Sequence, residues 1–254
     1  MNTKLNNKKP WLLALTTCAS LSFAASAQAA TLTLTDTIPL VNDNNNVINI
    51  LKFDTANDID PGPGAANSTV GATLNSVTMT VTVALSDAVV RLDNDGDDPS
   101  TGTGRVNNQV NSFTVGNVTA DPLDGVDLGI NVQQDFNLES TVGDDTSKFT
   151  VTNDVDFAEF APGTVEGQTT GGFTGALADS AGYTTTTANE VIVFTLNSSF
   201  LTSATFVGGL GRFDGTTPSA TYDVEVVYDY TIPEPSIAML GGLGLLGLFR
   251  RRRS

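Results

Sequence analysis

Ser76–Leu85 reads SVTMTVTVAL. Laid out as an extended chain, Val77, Met79, Val81, Val83 and Leu85 fall on one side and Thr78, Thr80 and Thr82 on the other. A period of two built from β-branched residues specifies a strand with one buried face. Thr221–Ile232, TYDVEVVYDYTI, repeats the pattern. Tyr222, Val224, Val226, Tyr228 and Tyr230 share one side, and Asp223, Glu225, Val227 and Asp229 take the other. Glu190–Leu196, EVIVFTL, is apolar on both sides and suits a central strand.

Working outward, shorter candidates are LTLTDTI, VINILKF, AVVRL, SFTVGNV, SKFTVTNDVDF and ATFVGGL. About nine strands separated by Gly, Asn, Asp and Pro clusters predict an all-β protein. The expected fold is an antiparallel β-sandwich of jelly-roll or immunoglobulin-like type. FAEFAPG, from Phe157, reads as one short helical turn before Pro162. DPGPG, Asp60–Gly64, reads as a loop, because its prolines remove donors and restrict the backbone. With no repeat and no clean linker, residues 30–231 are expected to form one domain.

The composition excludes much. The 254 residues carry a net charge of −16. Seven of the 12 basic residues sit at the two ends. Five are left between them against all 28 acidic residues, a net charge near −23 for the middle of the chain. Such a surface repels nucleic acid and anionic lipid. There is no histidine, and the one cysteine, Cys18, lies near the N-terminus. Triads that need His or Cys are therefore ruled out of residues 30–231, as are the usual zinc, copper and haem sites and a disulfide framework. A glycosidase needs only two carboxylates, but Trp11 is the one tryptophan. A non-enzymatic protein is expected.

Residues 1–29, ending SAQA, read as a cleavable secretory signal helix. Lys4, Lys8 and Lys9 precede an apolar run, and Ala27-Gln28-Ala29 supplies the small-x-small cleavage site. A lipoprotein alternative at Cys18 is weakened by the threonine before it. Asn67, Asn117 and Asn197 match the glycosylation sequon, as chance allows in a chain rich in Asn, Ser and Thr.

RLDNDGDDPS is the densest acidic cluster. Asp93, Asp95, Asp97 and Asp98 are candidate ligands for Ca²⁺, a hard cation that takes oxygen donors. An EF-hand loop wants Gly at its sixth position and Glu at its twelfth, whereas here Gly96 stands fourth and Gly104 twelfth. A solvated hairpin turn on Asp95-Gly96 is the simpler alternative. Asp121, Asp124 and Asp127, and Asp144 with Asp145, also read as turns.

Residues 232–254 read IPEPSIAMLGGLGLLGLFRRRRS. Pro233-Glu234-Pro235 leads into an apolar run shorter than the ~20 residues of a full span. Arg250, Arg251, Arg252 and Arg253 would then hold the end on the cytoplasmic side as a stop-transfer device. Proline pair, Gly/Leu-rich run and arginine cluster, in that order, resemble the PEP-CTERM sorting signal of Gram-negative bacteria. That resemblance implies recognition and cleavage by an exosortase, transient residence in the inner membrane, and a surface or extracellular destination linked to exopolysaccharide and biofilm. Ile50–Leu85, with its Lys52-Phe53-Asp54 segment before a Thr-rich strand, also resembles the choice-of-anchor E type of surface domain. A Ca²⁺-dependent carbohydrate-binding module is the alternative function.

Overall fold

The computed structural model describes residues 27–59, 69–124, 128–140, 156–175, 177–178, 181–208 and 210–233. Contacts divide the chain into a body, Ala29–Ile232, and a second unit made of the two ends. The strands are β1 (Gln28–Pro39), β2 (Asn45–Leu51), β3 (Phe53–Asp54), β4 (Thr73–Ser86), β5 (Val90–Asn94) and β6 (Ser100–Gly116). They continue as β7 (Ile130–Leu138), β8 (Phe157–Phe160), β9 (Val165–Thr174), β10 (Thr184–Thr185), β11 (Val191–Val207), β12 (Gly211–Gly215) and β13 (Ser219–Ile232). The signal helix and the C-terminal membrane helix expected from the sequence lie outside the described residues, as do DPGPG and most of SKFTVTNDVDF.

Two four-stranded sheets dominate, ordered β1-β13-β4-β9 and β2-β11-β6-β7. Their long pairings are antiparallel, as expected. The alternation that predicted β4 and β13 sets their faces. Val77, Met79, Val81, Val83 and Leu85 are buried beside Tyr222, Val224, Val226, Tyr228 and Tyr230. On the second sheet Ile48, Ile50, Ile192, Phe194, Leu196, Val106 and Phe200 form the inner face. The Tyr228 hydroxyl joins the sheets by donating to the Leu51 carbonyl at 2.8 Å, and Phe53 packs on the rings of Tyr228 and Tyr230 at 5.6 and 5.0 Å. Burial pushes that hydroxyl's pKa well up, so it stays a donor at any physiological pH.

A third sheet, β12-β5-β8, closes one end. Val90 and Leu92 of β5 press against Gly102 and Gly104 of β6, where a Cβ would lie 3.0 to 3.4 Å from their methyl groups. β5 and β6 thus belong to different sheets, and the Asp95-Gly96 turn is a corner between them rather than the expected hairpin. FAEF is β8, paired with β5, rather than a helical turn, because ladder bonds to an open edge outweigh weak local preference. Most of EVIVFTL and the ATFV of ATFVGGL fall in one continuous strand, β11, central between β2 and β6.

Two bulges explain where the alternation slips. The β13–β4 register shifts after Asp229, so that Leu74 and Val77 both face the core. The β11–β6 register shifts after Asn197 and turns β6 over. Strand β9 shows no clear alternation because Gly167 and Gly171 interrupt its inner face, leaving Val165, Thr169 and Phe173 there. A Cβ on Gly171 would stand 2.6 Å from the Pro122 carbonyl, and one on Gly167 2.7 Å from that of Leu128. The segment from Pro122 to Leu128 supplies the missing apolar surface through Leu123 and Leu128, both buried.

Replacing Tyr228 by Phe keeps the ring and removes the tie to Leu51. Urea unfolding should show a loss of about 1–2 kcal/mol, against less than about 0.5 kcal/mol for the exposed Thr170→Ala.

Candidate functional site

β13 is an inner strand, flanked by β1 and β4. Thr31 of β1 donates to Asp229 at 2.9 Å, Thr37 donates to Asp223 at 2.7 Å, and the Leu40 N–H donates to the Ala220 carbonyl at 2.8 Å. These contacts set β1 antiparallel to β13. The beginning of β1 therefore lies beside the end of β13. The strand stops at Ile232, and Pro233, which has no N–H to extend the ladder, is exposed. No spacer separates the last ladder residue from the proline pair. Glu234, Pro235 and Arg250 to Arg253 lie outside the described residues. At the other end, Ala27 precedes β1 and Ala29 is an exposed residue within it, while Ala30 packs on the core.

The acidic cluster is dispersed. Asp93 is buried on β5. Asp95 is half-buried and ion-paired with Arg212 of β12, whereas Asp97 and Asp98 are exposed. The turn is knitted by Asn94, fully buried, a residue the sequence did not single out. Its Nδ2 donates to the carbonyls of Asp98 and Glu139 at 2.9 and 2.7 Å, and its Oδ1 accepts from the Gly96 N–H at 3.1 Å. Among the described residues no three carboxylates are placed to hold a metal ion. Asp121 serves as a turn residue, accepting from the N–H of Leu123 at 2.8 Å. Asp124 is exposed. Asp127, Asp144 and Asp145 lie outside the described residues.

A cleft of about 240 Å³ opens beside Lys52-Phe53-Asp54, walled by Leu51, Ile59, Thr185 and Ala188 and without an aromatic ring. Its carboxylates, Asp54, Asp58 and Glu190, all accept hydrogen bonds. Lys52, buried, meets Glu190 at 2.7 Å, and Thr185 donates to the same carboxylate at 2.6 Å. Asp54 caps its own turn, accepting from the N–H groups of Ala56 and Asn57 at 2.8 and 2.9 Å and from the Asn57 amide at 2.9 Å. Burial opposes the charge on Asp54, but these donors outweigh it and hold the pKa below the ordinary range.

A family model of the PEP-CTERM protein-sorting motif matches residues 231–253. The chain carries this signal, and its match begins on the last two residues of β13. Signals of this class are recognised by exosortase, a membrane processing enzyme, and mark an extracellular or surface protein. No curated protein matches the chain. A solved chain of Desmodium yellow mottle tymovirus aligns over 93% of this chain and 96% of its own at 11% identity, but its TM-score of 0.20 carries no argument.

Glu190 supplies a pH test. The hydrogen bond from Lys52, then that from Thr185, lowers its pKa from the ordinary 4.5. A lowered folded value stabilises the protein above pH 4.5, and that stabilisation is lost as pH falls through the folded value. Glu190→Gln should therefore melt below wild type at pH 7, and calorimetric scans at decreasing pH should show the gap closing once the pH falls below 4.5.

Proposed function

We propose that the protein is a non-enzymatic cell-surface or extracellular-matrix protein that crosses the inner membrane of a Gram-negative cell and is released from its C-terminal signal by exosortase. Association with exopolysaccharide in a biofilm is its role on this reading. The observation that carries the proposal is the placement of the sorting signal at the end of β13. The motif starts where the ladder ends, so a completed body presents Pro233 at a fixed edge rather than on a slack tether. The residues of the body support a structural role. The carboxylates of the Lys52 cleft are occupied in turn and ion-pair contacts, and the cleft lacks the ring walls that a sugar-cleaving site uses. The calcium-dependent alternative has less support, since Asp93 is buried and Asp95 is held by Arg212.

Replacing Arg250 to Arg253 by Ser, and separately Pro233 and Pro235 by Ala, should leave unprocessed protein in the cells. Fractionation with mass spectrometry of the C-terminus reads the outcome. Wild-type location and C-terminus in both variants would defeat the sorting proposal.

A further inference from the structure

The acidity of the body is unevenly placed. Strands β2 and β11 carry no charged residue, and the one charged residue of β6 is Arg105. Over the first part of β11 their outer face presents Val47 and Asn49 of β2, Val193 and Thr195 of β11, and Ser112 and Thr114 of β6. The alternate residues Ile48, Ile50, Ile192, Phe194 and Leu196 are buried. A neutral surface thus stands on a stretch of chain whose net charge is near −23. Val47 is 43% exposed on it.

This surface ends at β2, which has no ladder partner on its far side. The register shows which backbone groups face that side. The Lys52 N–H donates to the Glu190 carbonyl at 2.9 Å, one step beyond the Leu51–Val191 pair. Bonded and non-bonded pairs alternate along an antiparallel ladder, so Ile50, Ile48 and Asn46 bond to β11. The backbone groups of Asn45, Val47 and Asn49 then point away from it, and all three residues are exposed. The Asn45 N–H holds the Asn44 side chain at 2.9 Å, an exposed contact that can exchange. An edge strand without charge, proline or glycine is an open template for another strand. The other edges of the three larger sheets each carry a charge that discourages pairing: Asp36 on β1, Asp135 on β7, Glu159 on β8, Glu166 on β9 and Asp214 on β12.

Charge selects the occupant. Two copies of this body repel over most of their surfaces and can approach where neither carries charge. A strongly acidic or basic partner gains nothing from a face without charges. A second copy brings the same neutral face and the same open edge. We propose that the protein forms a two-fold dimer in which β2 pairs antiparallel with β2 of a second copy, joining two four-stranded sheets into one of eight strands. The register that pairs all three outward-facing residues is centred on Val47. It sets Val47 opposite its own counterpart and Asn45 opposite the second copy's Asn49. The two valine side chains meet on the outer face, and the new ladder uses up both open edges, so assembly stops at two. The dimer goes beyond the proposed surface role and does not rest on it.

Cysteine trapping tests the register directly. In a Cys18→Ser background the purified protein holds no other cysteine, however its ends are processed. Directly opposite bonded residues have Cα atoms about 5.5 Å apart, within the roughly 4.4–6.8 Å that a disulfide spans. Val47→Cys should therefore give a disulfide-linked dimer under mild oxidation, and Asn131→Cys, exposed on β7, should not. Sedimentation of the cysteine-free protein should show a reversible dimer at concentrations on the order of 10–100 µM. It should strengthen with salt, which screens the repulsion between acidic bodies. Val47→Asp sets two carboxylates on the two-fold axis and should weaken the dimer at least about tenfold. Asn131→Asp, the same change of charge elsewhere, should leave it unchanged. Circular dichroism checks that each variant keeps its strands. A protein that stays monomeric would leave the edge to a strand from another protein and overturn the proposal. So would equal crosslinking at positions 47 and 131, or a dimer that Val47→Asp weakens no more than Asn131→Asp does.

Discussion

The hydrogen bond from Tyr228 to Leu51 is the constraint on which the rest of the body depends. It fixes β13, the strand leading to the sorting signal, against β2 of the opposite sheet. One residue beyond Leu51 the chain places Lys52 on Glu190, and two beyond it Phe53 enters the aromatic cluster with Tyr228 and Tyr230. Inter-sheet distance, cleft and final strand are thus set within a few residues of one another. No disulfide or histidine contributes, since the chain has one cysteine and no histidine. Burial, ladder bonds and side-chain contacts such as the Lys52–Glu190 pair carry the stability.

The strands that were legible in the sequence are those that fill their own buried face. β4 and β13 present Val, Met, Leu and Tyr at every second position, so a period of two is unmistakable. Strands β6 and β9 place Gly102, Gly104, Gly167 and Gly171 where apolar side chains are expected, and borrow Val90, Leu92, Leu123 and Ile130 from other segments. Such a strand has no periodic signal, because half of its pattern is written elsewhere in the chain. The Asp95-Gly96 turn misled for a related reason. Its local chemistry is that of a tight turn, but nothing local says that its flanking strands enter different sheets.

Functional residues divide the same way. A sorting signal is read as a contiguous segment, so its proline pair, apolar run and arginine cluster are visible in order. Asn94, by contrast, is one asparagine among many in the sequence, and only the fold brings the carbonyls of Asp98 and Glu139 onto its amide.

The antiparallel alignment of β1 with β13 also has a mechanical consequence. The first residues of β1 and the last of β13 lie at one end of one sheet, so tension applied between the two ends of the body peels these strands apart bond by bond. A load that enters through the opposite sheet and leaves through Ile232 acts differently. It runs along β13, which is bonded on both sides, and loads two ladders in shear at once. The body is therefore weak to forces between its own ends and resistant to a drag transmitted from its far face to its C-terminal edge.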